Sequence, residues 1–158
     1  SREGKDAIVM KYIPVSLYKQ FIWKNIPQIL LNTIAIIGVA VVIKINIPNV
    51  TFGYYIVGIA IAMILNVINS FLMLVVDLKK PNLNWITETS AIKDNGNKLY
   101  QYVTTILISL LFIYFMRIFE DVNIKISLSA ITIILFIILF IINIFVKKNI
   151  NKLFEKIN

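Results

Sequence analysis

The stretch Asp77-Leu-Lys-Lys-Pro-Asn-Leu-Asn-Trp-Ile-Thr-Glu-Thr-Ser-Ala-Ile-Lys-Asp-Asn-Gly-Asn-Lys98 is a polar island in a chain of 158 residues that is 59% hydrophobic. Two long apolar runs precede it and two follow it. Lys79, Lys80, Lys93 and Lys98 outnumber Asp77, Glu88 and Asp94 within it. Loops rich in Lys and Arg beside membrane spans stay on the cytoplasmic side, so the island sets the orientation of everything else. Pro81 and the Asn95-Gly96 pair punctuate it, and Trp85 gives it one large apolar anchor. The chain reads as hairpin, cytoplasmic island, hairpin.

Outward from the island, the composition belongs to the membrane class. Only 15% of residues are charged and the mean hydropathy is +0.84, whereas about a quarter of a soluble domain is charged. The chain has no cysteine and no histidine. Disulfides, thiol nucleophiles, Fe–S clusters, the usual zinc sets and the commonest general base are therefore absent. The net charge of +8 flanks the apolar runs instead of forming one patch, which is the positive-inside pattern and not a nucleic-acid footprint. Abundant Ile, Asn and Lys point to an AT-rich bacterial genome, hence to a multi-pass protein of a bacterial cytoplasmic membrane. The chain opens on Ser1 and is expected to be a piece of a longer protein. No signal-peptide pattern is visible.

Four spans are expected, at about 26–47, 52–76, 98–119 and 126–146, with a cytoplasmic loop over 77–97 and a cytoplasmic tail over 147–158. Residues 1–24 are too charged to cross a bilayer. Pro14 disfavours helix at Ile13, and Ser16 can cap a second, amphipathic helix whose Leu17–Phe21 and Tyr18–Ile22 pairs make one apolar face. That helix would lie on the membrane surface, either as a lysine-rich anchor or as the docking point of a cytoplasmic partner. Pro27 would sit in the first turn of the first span, where its missing N–H costs nothing.

The second span carries the most informative pattern. Gly58, Ala62, Asn66 and Ser70 recur every four residues, with Asn69 beside them. Small residues let another helix approach closely, and buried amides hydrogen-bond across such contacts. The seam is read either as helix packing or as the lining of a substrate path. The third span repeats the step with Gln101, Thr105 and Ser109. The fourth is apolar all round at its centre and is expected to be peripheral and lipid-facing, and Leu153, Phe154 and Ile157 of the tail are placed on the interface. Of the 16 basic residues, all but Lys44, Arg117 and Lys125 fall before the first span, in the island or in the tail. Four spans with both ends cytoplasmic fit that bias.

The chemistry is sparse. Gly4-Lys5 is followed by Asp6 and lacks the upstream glycine of a phosphate-binding loop. No paired carboxylates lie within the apolar runs, and no nucleophile sits beside a base. No catalytic, cofactor-binding or metal-binding residues are expected, and no cofactor.

Two stretches carry a resemblance. Ser1-Arg-Glu-Gly-Lys5, then Lys11-Tyr-Ile-Pro-Val-Ser16 and Lys24 ahead of a span, resembles the cytoplasmic segment of ABC-2-type exporter permeases, where an S-R-E element, a basic residue and a P-[IV]-S turn precede a membrane span. The island from Asp77 to Trp85, with Glu88, is similar to a loop of many-span exporter permeases from low-GC Gram-positive bacteria. The resemblance implies the last four spans of a six-span unit, with ATP hydrolysed by a separate ATP-binding cassette subunit. It also implies that Arg2, Glu3, Lys5 and Pro14 belong to the element that senses that ATPase. The remaining spans of the same permease, or a second permease copy, would be the other partners. Two departures stand beside this: the first two spans would have to precede Ser1, and no ATP-binding domain is present. The permease is the reading adopted; the alternative, from a different class, is a small four-span structural or regulatory membrane protein without transport activity.

Overall fold

The computed structural model describes residues 9–49, 51–81, 89, 96–118 and 124–155. Four long helices make up the described chain: α1 (Leu17–Asn46), α2 (Phe52–Lys79), α3 (Asn97–Ile118) and α4 (Ile124–Glu155). The protein is all-α, and α1, α2 and α4 are each long and apolar enough to cross a membrane. The apolar stretch of α3 is shorter, over Leu99–Leu111. Lys24 and Lys44 bracket residues 25–43 of α1, a rise of about 28 Å, close to the thickness of a bilayer's hydrocarbon core. Large apolar side chains are exposed along that stretch, Leu31 and Ile34 among them, and along α4 at Phe136, Ile137 and Phe140. Faces of this extent do not occur on a soluble monomer. This is a membrane protein.

α2 is the central helix and packs against each of the other three. The tight core lies at one end of the bundle. There Met10, Leu74, Leu78, Val146, Ile150 and Phe154 are buried together, with Leu17, Tyr18, Phe21 and Ile142 packed against them. The start of α1 therefore lies beside the ends of α2 and α4. Phe21 and Phe154 meet edge to face with centroids 5.7 Å apart, a favoured aromatic geometry. The Lys11 ammonium lies 5.8 Å from the Phe154 ring centroid.

Three features differ from the sequence reading. Among the described residues there is no separate surface helix, because α1 runs unbroken from Leu17 through the apolar run. Pro27 consequently sits well inside α1 and removes the donor for the Trp23 carbonyl, so it is not a first-turn proline. The tail does not leave the bundle at Val146. α4 continues to Glu155, and Phe154 is only 1% exposed. Its i, i+4, i+8 row of Val146, Ile150 and Phe154 is a helical stripe that fits the core. Of the expected interfacial residues, Leu153 packs against the core, and Ile157 lies outside the described residues. The central part of α4 is exposed as expected, but its last turns are not peripheral.

Ahead of α1, a short 3₁₀ turn over residues 9–11 is followed by an inverse γ-turn about Pro14, with Val15 N donating to Ile13 O at 2.7 Å. The fixed φ of proline suits that turn. Ser16 occupies the N-cap position of α1 but makes no side-chain capping bond. Gln20 does the fastening instead: its buried amide donates to Met10 O at 3.2 Å and to Val15 O at 2.6 Å.

The two regions of α4 give opposite expectations for one substitution. Ile150→Ala should lower unfolding free energy by about 2–5 kcal/mol, because it opens a cavity among Met10, Leu78 and Phe154. Ile137→Ala, on an exposed face, should cost well under that. Reversible unfolding in mixed micelles measures both, and equal costs would refute the buried C-terminal half of α4.

Candidate functional site

Polar side chains collect along α2 and its two neighbours. Asn66 and Asn69, three residues apart, project to adjoining sides of α2. Asn66 reaches α1: its Nδ2 donates to Ile29 O at 3.1 Å, and its Oδ1 accepts from Asn32 Nδ2 at 3.0 Å. The Thr33 hydroxyl donates to the same Ile29 carbonyl at 2.8 Å. Asn69 reaches α3: its Nδ2 donates to Thr105 Oγ1 at 3.1 Å, and Thr104 Oγ1 approaches its Oδ1 at 3.5 Å. Thr104 and Thr105 also donate back to Gln101 O, and Ser109 to Thr105 O. Such back-bonding satisfies hydroxyls inside their own helix.

The result is a band of neutral donors and acceptors across the middle of the apolar helices. Asn32, Thr105 and Ser109 are exposed and Asn66 and Asn69 half-buried. The band opens on the outside of the four-helix unit. It can hydrogen-bond a polar group at membrane depth but offers nothing that titrates between pH 4 and 10. Among the described residues no group of His, Cys, Asp or Glu side chains could hold a metal ion.

The other residues singled out from the sequence fall in different places. Gly58 is exposed, with nothing within 4 Å of where a Cβ would lie. Ala62 is half-buried. Ser70 is buried, and its hydroxyl has no hydrogen-bond partner among the described residues. The reason is rotation. A step of four residues advances about 40° beyond a full turn, so Gly58 and Ser70 lie roughly 120° apart and cannot share one face. The half-buried Gln101 contributes its carbonyl. Pro14 forms the turn ahead of α1, and Arg2, Glu3 and Lys5 lie outside the described residues.

Asn32 and Thr104 were not singled out, although Asn32 is an isolated amide inside an apolar run and the rule that flagged Asn66 applies to it equally. At the core end, two more polar links join elements. Asn97 Nδ2 donates to Asp77 Oδ1 and to Lys80 O, both at 2.8 Å. Lys80 Nζ lies 3.0 Å from the Tyr100 hydroxyl and 5.1 Å from its ring centroid. The end of α2 is thereby tied to the start of α3.

No family model matches the chain, and neither a curated protein nor a solved structure is similar to it.

If Asn66 and Asn69 hold α2 to its neighbours, Asn66→Leu or Asn69→Leu should each cost about 0.6–2 kcal/mol of stability, the usual worth of an intramembrane hydrogen bond. Gly58→Leu should leave the stability of the isolated chain unchanged, since its surroundings are open. A Gly58→Leu cost equal to that of Asn66→Leu in the same unfolding assay would refute this placement.

Proposed function

We propose that the chain is the membrane-spanning part of an ATP-driven exporter of the ABC-2 permease type in a bacterial cytoplasmic membrane. It crosses the bilayer four times as two hairpins, with α3 as the third span and both ends cytoplasmic, and it couples to a separate ATP-binding cassette subunit. The observation that carries this reading is the neutral polar band of Asn32, Asn66, Asn69 and Thr105 at mid-helix, open on the outside of the unit. Polar groups kept at that depth mark paths or interfaces in membrane proteins. The band would meet the remaining spans of the permease, or a second copy, and with them form the translocation interface.

Coupling has a route. Three residues separate Lys5 from residues 9–15 in the sequence, Met10 is in the core, and Gln20 grips the Met10 and Val15 carbonyls. A displacement of the opening segment would pass through Met10 to Leu78, Ile150 and Phe154, and so to α2 and α4. The acids Glu3 and Asp6 also suit a protein surface better than anionic headgroups, which would repel them. The alternative, a structural or regulatory membrane protein without transport, is favoured by one observation: every side-chain bond within the band joins helices or satisfies its own backbone, as packing alone would require.

Two experiments test these statements. Cysteines at Asn84 and Lys152 should resist an impermeant thiol reagent in intact cells while one at Asn49 labels; the reverse pattern overturns the orientation. Glu3→Lys in the full-length protein should leave insertion and abundance intact but reduce stimulation of the partner's ATP hydrolysis, with Pro14→Ala doing so more weakly. Unchanged stimulation and partner binding would remove the coupling role.

A further inference from the structure

Residues of α1, α2 and α4 line an open groove of about 270 Å³. Val67 and Phe71 of α2 and Phe136, Leu139 and Phe140 of α4 line it. Tyr18 and Asn143 close its end nearest the core, where the Tyr18 hydroxyl donates to Asn143 Oδ1. That bond occupies the amide oxygen and leaves the two N–H donors of Asn143 for a further acceptor.

Lysines outnumber acids beside the mouth. Lys147 lies one helical turn beyond Asn143 on the same face of α4 and is exposed. Lys148 and Lys152 follow on α4 before Glu155 ends it, and Lys19 in the first turn of α1 and Lys11 in the turn ahead of it are brought beside them by the core, with Asp77 near the end of α2 the other acid at this end. From Phe136 to Asn143 α4 rises about 10 Å and from Asn143 to Lys147 about 6 Å more. Apolar wall, amide donors and ammonium group therefore follow one another along one line.

We propose that this groove binds one anionic phospholipid. An acyl chain lies against Phe71, Phe136 and Phe140, Asn143 donates to an ester or phosphate oxygen, and Lys147 holds the phosphate. Basic pockets between spans on the cytoplasmic side are suited to such headgroups. The inference rests on the bilayer placement and the cytoplasmic orientation of this end proposed above, not on transport.

The test is native mass spectrometry of the purified chain in mild detergent, titrated with phosphatidylglycerol or phosphatidylcholine of the same acyl chains. One phosphatidylglycerol should be retained in preference to phosphatidylcholine. Lys147→Gln should lower that preference about fivefold, the effect of one lysine near an anionic surface, and Lys147→Arg should preserve it. Leu139→Trp should fill the groove and weaken binding of both lipids, with helicity by circular dichroism as the check on folding. Glycerol phosphate alone should not displace the lipid. Equal retention of the two lipids, an unchanged preference in Lys147→Gln, undiminished binding in a folded Leu139→Trp, or displacement by glycerol phosphate would each overturn the proposal.

Discussion

A polar group inside hydrocarbon has no water to fall back on, and most of the arrangement follows from that constraint. It makes the apolar runs helical, because a helix satisfies its backbone within the segment. It sends the hydroxyls of Thr33, Thr104, Thr105, Ser109, Ser129 and Thr132 back to carbonyls of their own helices. The amides cannot be satisfied so locally. Asn66 and Asn69 reach sideways instead, and in doing so select α1 and α3 as the neighbours on the polar side of α2.

The same constraint explains where the tight core sits. Between helices in lipid the hydrophobic effect supplies no attraction, since the tails are as apolar as the side chains. Nearer water it operates again. The core of Met10, Leu78, Ile150 and Phe154 accordingly lies among Lys11, Lys79, Lys80 and Lys152, at the end of the helices that meets an aqueous boundary. Phe154 buries its ring there while Lys11 spans its face, keeping the ammonium within reach of water. At mid-depth the faces of α1 and α4 remain open, and cross-helix contact is carried by amides and a few isoleucines of α2.

Much of this was readable from the residues, and the misreadings have physical causes. Apolar length located the helices, and the polar step on α2 pointed to Asn66 and Asn69. Length alone could not say that α4 continues, because Lys147 and Lys148 look like the end of a span. The stripe of Val146, Ile150 and Phe154 was present in the sequence, but it is a soluble-type amphipathic signal attached to a membrane-type one. Likewise Pro27 looked like a start only because Lys24 looked like a boundary, and helix propensity does not stop at a lysine. The seam was drawn one face too long. Steps of four drift about 40° each, tolerable over two steps, as in Val146, Ile150 and Phe154, but not over the three that separate Gly58 from Ser70; Gly58 fell outside, while Ile61, Ile64 and Ile68 fell inside. The Tyr18–Asn143 link joins residues 125 apart in the chain. No local pattern encodes such a pair.

The two sides of α2 thus do different work. One side, toward α1 and α3, spends its polarity on directional bonds whose partners hold a fixed register. The other, toward α4, is held by apolar surface that tolerates sliding at mid-depth but is locked at the core end by Phe154. A push on residues 9–15 meets the locked end first, through Met10 and the two carbonyls that Gln20 holds. It moves α4 and α2 together there, while the amide bonds resist displacement of α2 relative to α1. The middle of α4 is where its exposed apolar side chains collect, Phe136, Ile137 and Phe140 among them, so there the pair is held on one face only, whereas at the core end Val146, Ile150 and Phe154 are buried.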